Sequence, residues 1–209
     1  MRLVTVAHGT RVPAGNAVAR TITARAGALL EMPAVATFLE LAEPPYGSLA
    51  VGPSVVVPLL LSTGHHVRHD LGGTTPLGPH PRLASAQVAR LLEAGVEPGR
   101  PVVMVAAGSR DPLATEDLVE ASGHLAAAWG GPVRLATLAG RGPRPEELVR
   151  PGDAVSPYLL APGHFADRCR GAGEGAGGIV ADVIGAHPDV VELVVQRARE
   201  AQRCLSGSR

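Results

Sequence analysis

The chain predicts an α/β fold of two similar lobes, each a small parallel sheet flanked by helices. Two observations carry that expectation. The 209 residues contain one plan written twice, and within each copy short apolar, β-branched runs alternate with longer Ala-rich ones. Shifted by 99 positions, Val6-Ala7-His8-Gly9-Thr10-Arg11-Val12-Pro13 falls on Val105-Ala106-Ala107-Gly108-Ser109-Arg110-Asp111-Pro112. In the same register Pro33 falls on Pro132, Leu39 on Leu138, and Pro58 through His65 on Pro157 through His164. After the Gly-rich insertion Gly171 to Gly178 the register moves by eight, so that Leu77-Gly78-Pro79-His80-Pro81 falls on Ile184-Gly185-Ala186-His187-Pro188.

The elements follow in order. Arg2–Ala7 is an apolar, β-branched run of the kind that forms a buried parallel strand. Ala14–Leu30 has helical composition, Ala34–Leu39 and Ser54–Leu61 are strands, Thr74–Leu77 is a short fourth strand, and Leu83–Glu93 is a helix. The second half repeats this with strand Pro101–Ala106, helix Leu113–Trp129, strands Val133–Ala139, Ala154–Leu160 and Ile179–Ile184, and helix Val190–Gln202. Pro and Gly cluster at Glu97-Pro98-Gly99-Arg100, dividing the chain into residues 1–97 and 98–209.

Composition excludes several functions. The 19 basic residues cancel the 19 acidic ones, which argues against nucleic acid as a partner. All 19 are Arg, so chemistry that needs a lysine amine is ruled out. Two Phe, two Tyr and one Trp are too few for base-stacking platforms. Cys169 and Cys204 have no metal-cluster or disulfide spacing, and Arg2–Ala7 reads as a strand and not as a signal peptide, so a cytoplasmic location is expected. The longest apolar run, Val55 to Leu61, is far short of the roughly 20 residues that span a bilayer, so no membrane partner is expected.

Eight histidines remain as the chemical resource. Ligands of open α/β sheets bind beyond the carboxyl ends of the strands. His8 follows the first strand, Glu40 ends the second, and Gly64-His65-His66 follows the third. The repeat acts as an internal control: the positions matching His8, Glu40 and His66 hold Ala107, Ala139 and Phe165, whereas Gly9, Arg11, Pro13, Pro58, Gly64 and His65 keep identical counterparts. Two imidazoles and a carboxylate suit a borderline divalent cation with open coordination positions, and the same groups serve as bases near neutral pH. Glu43 competes with Glu40, and His65 and His69 compete with His66. His80 and His187, each before a proline, read as helix-start residues.

The runs Ala7-His8-Gly9-Thr10-Arg11, Phe38-Leu39-Glu40-Leu41-Ala42-Glu43-Pro44 and Pro58 through Leu71 resemble the class II chelatases, the sirohydrochlorin cobaltochelatases and ferrochelatases of CbiX type. The second half, with Ala107 to Pro112 and Ala161 to Arg168, resembles the degenerate second lobe of their fused form. The resemblance implies a catalytic lobe at 1–97 and a degenerate one at 98–209, with two chelatase-like sheets. It implies His8, Glu40 and His66 as catalytic and metal-binding residues, with His66 favoured over His65 by the Val67-Arg68 that follows. Arg11 and Arg68 are then the nearest candidates for substrate binding, guanidinium groups that pair with the carboxylates of sirohydrochlorin, with a structural role as the alternative for Arg11, which Arg110 matches. The expected reaction is a lyase-class insertion of Co2+ or Fe2+ into the tetrapyrrole, in cobalamin or siroheme (porphyrin-type) biosynthesis. The cation is the substrate, no cofactor is retained, and no His- or Cys-rich extension points to an iron–sulfur cluster. Two other readings use the same residues: a metal or tetrapyrrole carrier without turnover, and a histidine phosphatase, which would place Arg before the histidine where this chain has Ala7.

Overall fold

The computed structural model describes residues 1–49, 52–64, 67, 70–72 and 74–207. It contains strands β1 (Arg2–Ala7), β2 (Ala34–Phe38), β3 (Ser54–Pro58), β4 (Val102–Ala106), β5 (Val133–Thr137), β6 (Ala154–Tyr158) and β7 (Ile179–Val180). The helices are α1 (Pro13–Leu30), α2 (Pro81–Glu93), α3 (Pro112–Trp129), α4 (Pro145–Leu148), α5 (His164–Gly175) and α6 (Pro188–Gly207), with a 3-10 turn at Tyr46–Ser48. All strand pairs are parallel, in the orders β2-β1-β3 and β5-β4-β6-β7. The expected α/β architecture of two small parallel sheets flanked by helices is what forms.

The central strands are buried on both faces, which is why they read as continuous apolar runs. Leu3 of β1 and Val102, Met104 and Ala106 of β4 join one core with Ile22, Leu125 and Leu193, while Val4 and Val6, and Val103 and Val105, face separate small cores on the opposite sides. The helices are shared between the sheets. The helix α2 packs on α3 and β6, and α6 packs on α1 and β3, so each half lends its last helix to the other half's sheet.

Two expected strands differ, and one helix forms that was not expected. Thr74–Leu77 is not a strand; the N–H groups of Leu77 and Gly78 both turn to the Leu60 carbonyl, at 2.8 and 3.3 Å, and Pro76 offers no donor for a ladder. The last strand stops at Val180. The Ala181 N–H still reaches the Val155 carbonyl at 2.9 Å, but on the same side of β6 the next position is Pro157, which has no N–H to return. The Gly-rich insertion begins within α5, unforeseen because glycine disfavours helices. Packing overrides that cost: a Cβ on Gly173 would lie 2.5 Å from Val180 Cγ2, so only glycine lets the helix sit this close to the sheet.

Strand ends and helix starts repeat in both halves. The Leu39 and Glu40 N–H groups donate to the Ala7 and His8 carbonyls at 3.0 and 2.9 Å, and Leu138 and Ala139 do the same to Ala106 and Ala107 at 2.9 and 2.9 Å. The tight crossing requires Gly9 at φ +93, where a Cβ would lie 1.8 Å from the Glu40 carbonyl oxygen, and Gly108 at φ +84, 2.0 Å from that of Ala139. His80 and His187 are the helix-start residues expected. The Nδ1 of His80 accepts from the Arg82 N–H at 3.1 Å, and that of His187 accepts from the Asp189 N–H at 3.2 Å.

Two predictions follow from this geometry. Gly9→Ala and Gly108→Ala should each cost about 2–3 kcal/mol in denaturant melts, because each adds both backbone strain and a clash with a carbonyl. The His80 cap needs a neutral ring. Burial, then the charges of Arg197, Arg82 and His124, lower its pKa against the weaker opposing effect of Glu200. A depressed histidine pKa contributes stability that is complete above the unfolded value of about 6.5 and is lost as pH falls below it. His80→Asn, a cap that does not titrate, should flatten the fall in thermal stability between about pH 7 and pH 5.

Candidate functional site

The carboxyl edges of both sheets open into one cavity of about 680 Å³. From the first lobe its wall takes the loop after β1 (Ala7 to Thr10), Phe38 at the end of β2, and Leu59 to Ser62 with Gly64 and Val67 after β3. From the second it takes Ala106 to Ser109 after β4 and Tyr158 to Ala166 at the end of β6 and start of α5. The lining is mostly aliphatic. Among the described residues it carries two imidazoles, His8 and His164, and no carboxylate or guanidinium. An apolar chamber with a few polar groups suits an organic ligand.

His8 stands exposed on this wall, directly after β1. The loop that carries it is tied down by Asn16 in the first turn of α1, whose side chain accepts from the Thr10 N–H at 3.0 Å and donates to the Thr10 carbonyl at 2.7 Å. Asn16 was missed in the sequence because a polar residue inside a helix gives no sign of what it touches. Glu40 is also exposed, and its N–H is bonded to the His8 carbonyl. Its side chain lines a neighbouring cavity of about 330 Å³, with Phe38, Tyr46, Gly47 and Asp70. Phe38 borders both chambers, so the structure puts His8 and Glu40 on adjoining sites and not in a single wall. Asp70 is a second carboxylate beside Glu40 that sequence reasoning did not single out.

His66 and Arg68 lie outside the described residues, as do His65 and His69. Arg11 is exposed on the loop after β1 and is not part of the wall of either cavity. Among the described residues, no three His, Cys, Asp or Glu side chains are grouped closely enough to hold a metal ion. On the second lobe, Ala107 and Phe165 occupy the cavity wall where the first half has His8 and His66 in sequence. Phe165 is 37% exposed, with its ring centroid 5.6 Å from that of His164.

Residues 2–94 match the CbiX family model. No curated protein matches the chain by sequence. Among solved structures it is similar to SirB from Bacillus subtilis with Fe3+, with a TM-score of 0.82 and 23% identity over 99% of this chain and 98% of that one. It is also similar to the sirohydrochlorin chelatase SirB from Bacillus subtilis subspecies spizizenii in complex with cobalt, with a TM-score of 0.74 and 21% identity over 99% and 98%. A third similar structure is CbiX, described as the terminal enzyme for biosynthesis of siroheme in denitrifying bacteria, with a TM-score of 0.75 and 20% identity over 96% and 99%. The fold of these structures thus runs through the whole chain, and the residues that match the CbiX model include His8 and Glu40.

Proposed function

We propose that the protein is a sirohydrochlorin chelatase, which inserts Co2+ or Fe2+ into the tetrapyrrole in cobalamin or siroheme synthesis. The observation that carries this reading is His8 on the wall of a chamber of about 680 Å³ between the two sheets, within the residues that match the CbiX model. We read residues 1–97 as the catalytic lobe and 98–209 as the supporting one. The SirB structures named above, one with Fe3+ and one with cobalt, support a site that takes either metal as substrate.

The reaction replaces two pyrrole N–H protons by one divalent cation, so two protons leave as the metal enters. His8 and His66 supply the imidazoles that receive the cation or take those protons. Glu40, joined to His8 through the backbone, takes up charge from the adjoining chamber. The aliphatic wall excludes water from the pyrrole face, which strengthens every charge interaction inside. Arg11, outside the wall, suits the carboxylates at the macrocycle rim, and Arg68 is assigned the same task from its place in the sequence. Among the described residues no helix is long and apolar enough to cross a membrane. Cys169 is buried, and burial pushes its thiol up to about 12; we read the location as cytoplasmic.

The test is metal insertion into sirohydrochlorin by the purified chain, followed by visible absorption. His8→Ala and His66→Ala should each lower kcat by about 100-fold or more, and Glu40→Gln by about tenfold. Phe165→Ala should cost less than either histidine change. Full rates in both histidine variants would remove them from the site, and stoichiometric metal binding without turnover would make the protein a carrier. The ratio of cobalt to iron rates assigns the pathway.

A further inference from the structure

Besides losing His8, Glu40 and His66, the second half carries polar groups that the first half lacks. Two of them meet the first lobe beside the cavity: Asp117 on α3, whose counterpart is Val18, and Tyr158 at the end of β6, whose counterpart is Leu59. Both reach the same short segment, Leu61 to Gly64, that follows β3. The Tyr158 hydroxyl, buried at 3% exposure, donates to the Leu61 carbonyl at 3.0 Å. The Thr63 N–H donates to the Asp117 carboxylate.

The receiving side differs between the halves as well. Thr63 corresponds to Pro162, which has no N–H to offer. Leu61 corresponds to Leu160, whose carbonyl accepts the Gly185 N–H of its own lobe at 2.9 Å, whereas Gly78 turns to Leu60 and leaves the Leu61 carbonyl to Tyr158. Gly78 also makes the room: a Cβ there would lie 2.3 Å from the Tyr158 hydroxyl and 2.6 Å from the Leu61 oxygen. Three residues, Asp117, Tyr158 and Thr63, thus differ from their counterparts Val18, Leu59 and Pro162, and the Leu61 carbonyl, unlike that of Leu160, takes its bond from the other lobe. Gly64 and Val67, on either side of His65-His66 in the chain, both line the cavity.

We propose that Asp117 and Tyr158 are positioning residues, by which the second lobe clamps Leu61–Gly64 and sets where the chain enters His65-His66. The inference rests on the reading of the protein as a chelatase with His66 in its site. A bond to a carboxylate is the stronger of the two, being charge-assisted, and the buried hydroxyl supplies direction. The lobe without the catalytic histidines is thus a working part of the site.

In the full chain, Asp117→Ala and Tyr158→Phe should each lower kcat for Co2+ insertion roughly tenfold while leaving KM for sirohydrochlorin within about twofold. Amide hydrogen exchange should quicken in the peptide spanning residues 59–70 and not elsewhere. Asp117→Asn, which keeps an acceptor oxygen, should restore most of the rate. Gln87→Leu removes a different buried bond between the lobes, from Gln87 Nε2 to Ser156 Oγ at 2.8 Å, and should lower the Tm without changing kcat. Unchanged exchange in 59–70, unchanged kcat in both variants, or an equal loss in Gln87→Leu would overturn the proposal. A wild-type chain that inserts no metal would instead overturn the chelatase reading, and the exchange of Asp117→Ala would still decide whether the clamp exists.

Discussion

Each sheet is covered by a helix from the other half of the chain, and the rest of the structure depends on that exchange. Leu83 and Leu91 of α2 enter the same core as Met104 and Leu125, and Leu193 and Val194 of α6 enter it with Leu3, Ile22 and Val55. Each borrowed helix packs beside a helix of the receiving lobe in the same core, α6 beside α1 and α2 beside α3. Lending the last helix across makes one continuous apolar core out of two small ones. The same packing turns both carboxyl edges toward a shared chamber.

The chamber inherits unequal walls from equal scaffolds. In both halves a glycine at positive φ follows the first strand and two N–H groups from the second strand tie the loops together. What differs is the chemistry mounted on that frame: His8 against Ala107, and Glu40 against Ala139. The opposite faces of the sheets diverge as well. Val4 and Val6 are covered by loop residues such as Tyr46, Leu49 and Leu71, whereas Val103 and Val105 are covered with the help of α4 and α5, through Leu148, Ala166 and Cys169. One lobe leaves room for the Glu40 chamber where the other is filled by helices.

Much of this was legible in the residues. The first strand and the C-terminal bounds of α1, α2 and α3 match the sequence reading, because buried parallel strands and Ala-rich helices announce themselves through composition alone. His80 and His187 were recognisable as helix-start residues from their place before proline. The failures share one cause. The strand at Thr74–Leu77 and the full length of Ile179–Ile184 depend on which partner N–H groups remain available, and Pro157 withholds one where β7 would continue. The helix through Cys169 and Gly173 depends on contact with Val155 and Val180. Local propensity does not contain either fact.

By itself the sequence determined the duplicated α/β plan, the carboxyl-edge placement of His8 and Glu40, and the contrast with Ala107 and Ala139, because these are matters of order along the chain and of strand polarity. Only the tertiary structure decided that the two edges share one chamber, that Glu40 lies in an adjoining one, and that Asp117 and Tyr158 reach the loop after β3. Those outcomes depend on how the two sheets are turned toward each other, and that angle is set by packing α2 and α6 across the lobes, between residues about a hundred positions apart.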